Sequence, residues 1–358
     1  MFSIFDNKNI NSGRQIEWDY AKVFSMVIMI IIHFFAFCTF GILDYKEIDL
    51  MFIFLQFSAP IFMYAMGIGM MYTRHDSPRE FIIRGIKLLL TGLIINTMYF
   101  LSNYGAGVPL QYSLLSFLAN DILQFAGLSF IVIGIFKKFN LSLVEMFLIA
   151  MVCSLVVTYH PDITVSNIYL NQFLGNFIET VGDYTVSCFP IVNWLIVPVS
   201  GMLTGSFLKR CRDKDEFYKR ILRPTSIMVI ILLFFGFLTL EGMFSTTGGT
   251  VPEKLEYLHI AFPDIAVLIC EVLFFTSAFY FISKKTPKRL DDFVIKSSKN
   301  ITIIYIIQWA IILGLTYINQ FWMIETNLTI AFVTLIFILA ATWLLSDLYV
   351  EIKDLDNE

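Results

Sequence analysis

The sequence predicts an all-α integral membrane protein, a bundle of about ten transmembrane helices with both termini in the cytoplasm. Three observations predict this fold: about ten long apolar segments, Lys and Arg concentrated in alternate loops, and few charged residues. The 358-residue chain is 57% hydrophobic and 15% charged, whereas a soluble domain usually has about 25% charged residues. The basic residues belong to loops and the net charge is −4, so no nucleic-acid partner is expected.

Each apolar segment is long enough to cross a bilayer, because about 20 residues at a rise of 1.5 Å span the hydrocarbon core. The predicted spans are residues 19–43, 50–72, 80–102, 118–136, 141–160, 188–209, 221–244, 263–284, 296–318 and 327–350. They form one transmembrane domain, 19–350, between a cytoplasmic segment, 1–18, and a cytoplasmic tail, 351–358. Residues 1–18 are polar, so no cleavable signal peptide is expected.

The positions of the basic residues predict the orientation. The loops after odd-numbered spans contain only Lys46 and Lys254, of 25 Lys and Arg residues in the chain. The loops after even-numbered spans contain most of the others. By the positive-inside rule, both termini then lie in the cytoplasm, and the expected location is the cytoplasmic (plasma) membrane.

His33 is the first candidate functional residue. It lies about 20 Å along the first span from its cytoplasmic start. Lys22 precedes it by eleven residues, and eleven steps of about 100° return to nearly the same helix face. A cation near the cytoplasm and a possible general base deep in the membrane therefore share one stripe. The alternative interpretation of His33 is a hydrogen-bonded core histidine.

Further polar groups are predicted near the depth of His33. Glu271 lies about 12 Å below the outer surface in the eighth span, and Asp121 and Gln124 begin the fourth span at the outer face. A buried carboxylate must be paired or protonated, so both acids are candidates to orient the imidazole or the substrate. The alternatives are an interhelical hydrogen bond for Glu271 and a helix N-cap for Asp121. Gln308 completes the polar set.

Glycines and missing motifs add two expectations. Gly67, Gly69, Gly201 and Gly205 are spaced to permit close approach of helices. The sequence contains no GxxxxGK[ST], GxGxxG after a strand, HExxH or nucleophilic-serine elbow. A metal is therefore not expected, and hydrolase chemistry is not favoured.

The segment from Arg14 to His33 resembles the amino-terminal signature of the transmembrane acyltransferase superfamily. That superfamily includes acyltransferase-3 proteins and heparan-α-glucosaminide N-acetyltransferase-like proteins. The segment reads Arg14-x-x-Glu17-Trp18-Asp19-Tyr20-x-Lys22, with His33 eleven residues after Lys22. The family pattern has Arg at the position of Lys22 and Gly at the position of Val23. Residues 55–73, 84–96, 120–128, 189–205 and 300–309 are similar to further parts of the family.

The resemblance implies transfer of an acyl group, usually acetyl, from cytoplasmic acetyl-CoA to a hydroxyl or amine of an extracytoplasmic glycan. His33 would be the general base, with Glu271 and Asp121 assisting. Cations pair with phosphate oxygens, so the predicted acyl-CoA site comprises Arg14, Lys22, Arg74, Arg84, Lys87 and Lys288. The predicted acceptor site comprises Gln124, Asn193, Trp194 and Gln308. The expected partners are the lipid bilayer, acyl-CoA and the glycan, with a homo-oligomer left open.

Two other classes of protein remain open at this point. A small-molecule transporter would bury the same ionisable residues, and broken helices or inverted repeats near the midplane would favour it. A non-catalytic assembly or signalling protein is the third class, and a closed bundle with no cavity around His33 would favour that interpretation.

Overall fold

The chain folds into helices joined by loops. A computed structural model describes residues 4–38, 57–159, 163–178, 188–238, 262–322 and 327–355. The helices, in chain order, are α1 (Ile16–Cys38), α2 (Ser58–Tyr72), α3 (Pro78–Gly105), α4 (Leu110–Ser113), the 3-10 helix η1 (Leu114–Leu118), α5 (Ile122–Lys138), α6 (Leu143–Thr158), α7 (Ile168–Leu174), α8 (Ile191–Trp194), α9 (Ile196–Arg210), α10 (Lys214–Leu238), α11 (Phe262–Ser283), α12 (Lys288–Lys299), α13 (Ile301–Trp322) and α14 (Leu328–Leu355). The described residues contain no β-strand, only a single bridge between Phe5 and Cys211.

Several of these helices are suited to a membrane. In the described part of the chain, six are long and apolar enough to span one: α1, α3, α8 together with α9, α11, α13 and α14. A seventh span results if α4–η1 and α5, which meet at a bend of 43°, are counted together. This supports a multi-pass membrane protein. Every predicted span overlaps a helix, but α2, α6 and α10 do not meet the same criteria, so the total of ten stays a prediction.

Parts of the sequence-based predictions lie outside the described residues. These parts are 1–3, 39–43, 50–56, 160, 239–244 and 356–358, together with Lys46 and Lys254, on which the predicted orientation depends. The described portion of the predicted tail, 351–355, continues helix α14.

Polar caps fix where three of the helices begin. Ser77, Asp121 and Ser142 each precede a helix and accept a hydrogen bond from its first turn, while a Glu or Gln three residues later reaches back to the cap. This reciprocal capping box satisfies backbone N–H groups that have no partner within the helix. Asp121 is therefore an N-cap, as one of the two interpretations of the sequence anticipated.

Glycines allow helices α2 and α9 to approach each other closely. A Cβ added to Gly67 would lie 1.9 Å from the carbonyl oxygen of Pro198, and one added to Gly201 would lie 2.2 Å from that of Tyr64. Helices α2 and α9 are therefore in backbone contact, as the spacing of small residues predicts. Gly205 also faces α2, with Met71 at 3.2 Å. The expectation is wrong for Gly69, because an added Cβ there would have no heavy atom within 4 Å.

Helix α1 lies at the centre of the described helices. It packs against α2, α11, α12, α13 and α14. Its apolar side chains Met26, Ile30 and Phe34 are almost completely buried. Groups carried by α1 are therefore placed between neighbouring helices.

Candidate active site

His33 lies against α13. Its Nδ1 atom is 3.2 Å from Oε1 and 3.1 Å from Nε2 of the Gln308 amide. If Oε1 is the partner, Nδ1 carries the proton and donates; if Nε2 is the partner, Nδ1 accepts. The imidazole stacks on Trp309 with ring centroids 4.0 Å apart. Gln308 and Trp309 are both buried. Nδ1 is engaged by Gln308, so Nε2 is the ring nitrogen left without a hydrogen bond among the described residues.

Asp121 and Tyr305 form a second polar contact beside His33. The Tyr305 hydroxyl donates a hydrogen bond of 2.5 Å to Oδ2 of Asp121, whose Oδ1 accepts from the Ile122 amide at 2.7 Å. The Tyr305 ring meets the His33 ring edge-on, with centroids 6.4 Å apart. One carboxylate thus caps α5 and holds a tyrosine that contacts the histidine.

The side chain of Gln124 supports this arrangement from α5. Its Oε1 accepts from the Asp121 amide at 3.3 Å, while its Nε2 donates to Asn96 Oδ1 at 2.7 Å and to the Gly92 carbonyl at 3.0 Å. Both ends of the Gln124 amide are thus bound to other residues of the protein. Gln124 therefore positions Asp121 and joins α5 to α3.

Lys22 belongs to a polar cluster near the start of α1. Its ammonium donates to Ser298 Oγ at 3.3 Å and lies 3.7 Å from Asp19 Oδ1. Ser298 donates to the same Asp19 oxygen at 2.6 Å. The Arg14 guanidinium binds both oxygens of Asp19, at 2.5 and 2.9 Å. Asp19 therefore holds two cations side by side.

A cavity of about 290 Å³ lies beside Lys22 and Tyr305. Its polar lining includes Lys22, Ser298 and Tyr305, and much of the remaining wall is apolar and rich in methionine. His33 does not line it, although Lys22 does. Tyr305 both lines the cavity and contacts His33. The tyrosine therefore lies between the cavity, which Lys22 reaches, and His33, which does not line it.

Polar side chains follow one side of α12 and α13. Ser298, Thr302 and Tyr305 line the cavity, and Gln308 binds His33. Thr302, Tyr305 and Gln308 are spaced by three residues and share one face of α13, while Ser298, near the end of α12, lines the same cavity as Thr302 and Tyr305. We call these four residues the polar stripe. It runs from the partner of Lys22 to the partner of His33.

The other predicted cations fall into two groups. Arg84 lines the cavity, and its guanidinium lies 4.7 Å from the ring centroid of Phe130. Arg74, Lys87 and Lys288 are exposed and do not line the cavity. Of the six predicted cations, therefore, only Lys22 and Arg84 line the cavity. Arg14 does not line it, but it binds Asp19, which also pairs with Lys22.

Three predicted site residues are not joined to His33. No hydrogen bond, ion pair or ring contact among the described residues links His33 to Glu271, Asn193 or Trp194. Glu271 lies in α11, and its buried Oε2 has no hydrogen-bond partner in the described part of the chain. Asn193 Oδ1 accepts from Ser154 at 2.6 Å, and Trp194 is buried.

Sequence reasoning missed Tyr305, Ser298 and Thr302. Their spacing was a signal for them. Tyr305 lies three residues before Gln308, Thr302 three residues before Tyr305, and Ser298 four residues before Thr302, which are helical spacings within the predicted span 296–318. Lys299, the last residue of α12, also lines the cavity. It was missed because a cation near the start of the predicted span 296–318 is expected from the positive-inside rule alone.

Comparisons with known proteins complete the description of the site. Residues 14–244 match a family model described as heparan-alpha-glucosaminide N-acetyltransferase, catalytic. The match includes His33, Lys22 and Asp121, whereas α12 and α13 lie beyond it. No curated protein and no solved structure matches the chain. Among the described residues, no group of three or more His, Cys, Asp or Glu side chains is placed to hold a metal ion.

Proposed function

The chain belongs to the family of heparan-α-glucosaminide N-acetyltransferase catalytic domains, and on that premise we propose that it transfers an acetyl group across a membrane. The donor is cytoplasmic acetyl-CoA, and the acceptor is a hydroxyl or amine of an extracytoplasmic glycan. One observation carries the proposal: His33 is held by Gln308 and Trp309 beside a polar stripe that reaches Lys22.

The cations of the cavity suit the donor. Lys22 and Arg84 present positive charge to an otherwise mostly apolar space, and charge-assisted hydrogen bonds to phosphate oxygens are about twice as strong as neutral ones. In the proposed complex these side chains bind CoA phosphates, and Arg74, Lys87 and Lys288 contribute longer-range attraction from the surface. In the proposed complex, the hydroxyl oxygens of Thr302 and Tyr305 accept hydrogen bonds from the amides of the pantetheine arm.

His33 supplies the proton transfer in this mechanism. Its Nε2 takes the proton from the acceptor hydroxyl or amine as the acceptor attacks the thioester carbonyl. The carbon–sulfur bond then breaks, the acetyl group remains on the acceptor, and CoA leaves as a thiolate that takes up the proton. Stacking on Trp309 and the hydrogen bond to Gln308 restrict the imidazole to one orientation, which reduces the entropy lost on reaching the transition state.

The test of this proposal is acetyl transfer from labelled acetyl-CoA by membranes carrying His33→Ala. We expect turnover to fall by about 10²–10⁴, the usual contribution of acid–base catalysis, with little change in donor affinity. His75→Ala is the matched control, because His75 is exposed and contacts Glu80 at 2.7 Å in a surface loop. Full activity in His33→Ala would remove the mechanism.

The donor site has its own test, direct binding of acetyl-CoA to single Ala variants. Lys22→Ala and Arg84→Ala should weaken binding by roughly 1–3 kcal/mol each, the scale of a hydrogen bond to a charged group. Arg74→Ala, Lys87→Ala and Lys288→Ala should have smaller effects, because these side chains do not line the cavity. Lys138→Ala, exposed at the end of α5, is the control. Unchanged affinity in all the variants would refute the site.

One observation favours a second candidate function, transport of a small molecule. Helices α4–η1 and α5 form a span broken by 43°, and Asp121 lies at the break, as in discontinuous transporter helices. The labelled-donor experiment separates the two functions. An acetyltransferase places the label covalently on the acceptor, whereas a transporter moves an unmodified substrate between compartments.

A further inference from the structure

Gly69 has no packing reason to be glycine. It lies within α2 and lines the cavity, and a Cβ built on it would have no heavy atom of the described residues within 4 Å. Glycine in a helix interior is about 1 kcal/mol less favourable than alanine. The helix therefore loses stability at this position without gaining a close contact.

Gly67, on the same helix, differs from Gly69 because helix packing explains why it has no side chain. Gly67, two positions earlier on the same helix, has the Pro198 carbonyl oxygen where a side chain would stand. Its absence of a side chain is explained by the contact between α2 and α9. Gly69 faces open space at the cavity instead, and a missing side chain there leaves room for a ligand.

The walls of the cavity describe the kind of ligand that fits. Next to Gly69 on α2, Met66 and Met70 line the space, and methionine adapts to extended apolar chains of varied shape. The lining also includes Thr302 and Tyr305 of the polar stripe. An occupant must therefore be narrow and mostly apolar, with a few groups able to form hydrogen bonds. The acyl-pantetheine arm of a CoA thioester has this chemistry.

We propose that the absence of a side chain at Gly69 keeps the cavity open for the acyl-pantetheine arm, which makes residue 69 a determinant of donor binding. This inference rests on the proposed function, because it takes acetyl-CoA as the donor. It goes beyond the proposed function because it assigns the pantetheine arm and the phosphates of the donor to different residues of the cavity. A larger side chain at 69 should exclude the arm and leave the cationic contacts of Lys22 and Arg84 unchanged.

The experiment compares two ligands on the purified full-length protein. Acetyl-CoA carries the arm, whereas adenosine 3′,5′-bisphosphate has phosphates and no arm. Binding of each is measured for the wild type, for Gly69→Ala, Gly69→Leu and Gly69→Phe, and for the control Gly314→Phe. Gly314 lies in α13, also has open space around its Cβ position, and does not line the cavity.

We expect acetyl-CoA affinity to fall with the size of residue 69, by about tenfold or more for Gly69→Phe. Bisphosphate affinity should stay within about twofold, as for other open positions, and Gly314→Phe should change neither. Unchanged acetyl-CoA affinity in Gly69→Phe, or an equal loss for both ligands, would overturn the inference. If Gly69→Phe fails to fold, the alanine and leucine variants decide by the same criterion.

The outcomes also separate this inference from the proposed function. If the wild type binds acetyl-CoA with the expected dependence on residue 69 but transfers no acetyl group, the reaction is wrong and the arm site stands. If the wild type binds no acetyl-CoA, both the proposed function and this inference are wrong. If the bisphosphate alone does not bind, the phosphate contacts are wrong, and the comparison of Gly69→Phe with Gly314→Phe still decides the place of the arm.

Discussion

Tyr305 connects the cavity with the buried polar groups around His33. Its hydroxyl is fixed by Asp121 at 2.5 Å, and its ring contacts the imidazole. A donor thioester lying in the cavity would therefore meet the tyrosine before the histidine. The shared face of Lys22 and His33 was predictable from their spacing, but the partner Gln308 was not assigned to His33, because the two are 275 residues apart in the chain.

The residue-scale prediction is that Tyr305→Phe destabilises the protein. The substitution keeps the ring and removes the donor to Asp121, so a buried acceptor loses its partner, which costs roughly 1–3 kcal/mol. The measurement is thermal unfolding of the purified protein. Tyr159→Phe is the control, since Tyr159 is 80% exposed at the end of α6. Equal unfolding temperatures for the two variants would mean that the Tyr305–Asp121 bond contributes nothing.

At the scale of elements, hydropathy located the helices well, whereas the packing partners of each helix could not be predicted from the sequence. Only 28% of the apolar window of α3, and of α14, is buried in the described structure, and such apolar faces suit lipid as well as another helix. Nothing in the apolar pattern of α1 alone distinguishes α13 from α14 as a partner. The break before α5 was also missed, since residues 118–136 read as one continuous span.

The element-scale prediction separates the two roles of Asp121. Asp121→Asn keeps an oxygen that can cap α5, whereas Asp121→Ala removes both the cap and the acceptor for Tyr305. The alanine variant should therefore be less stable than the asparagine variant by about 1 kcal/mol, the usual value of an N-cap. Ser142→Ala, which removes the cap of α6, should cost a similar amount without affecting acetyl transfer. A drop in transfer for Asp121→Asn at unchanged stability would identify a role of the carboxylate in the reaction.

At the scale of the whole molecule, the start of α1 is tied to distant parts of the chain. Residues 4–11 pair with the last turn of α9 and the residues that follow it. Asn11 donates to the Leu208 carbonyl at 3.1 Å, and the Asp6 amide donates to that of Arg210 at 2.7 Å. Glu17, fully buried, accepts from Lys214 and Tyr218, each at 2.7 Å. These contacts could not be predicted from the sequence, which places Glu17 in the polar segment before the first predicted span. They fix the helix that carries Lys22 and His33.

Lys214→Ala should be among the most destabilising single changes outside the apolar core. Glu17 would keep its buried position and lose its cation, and breaking a buried ion pair in this way costs about 3–5 kcal/mol. Its Oε2 already has no hydrogen-bond partner among the described residues, so little in the described structure can compensate. The comparison variant is Lys284→Ala. Lys284 pairs with Asp215 where both side chains are nearly half exposed, and such pairs contribute about 0–1 kcal/mol.

The ion pair at Lys284 still has an electrostatic effect, since its hydrogen bond lowers the pKa of the Asp215 carboxyl. Thermal unfolding at neutral pH should nonetheless show a much larger loss for Lys214→Ala than for Lys284→Ala. Adding Glu17→Gln to Lys214→Ala should recover part of the loss, because it removes the uncompensated charge. Equal losses in the two lysine variants, or no recovery in the double variant, would mean that burial of Glu17 does not control how α1 is held.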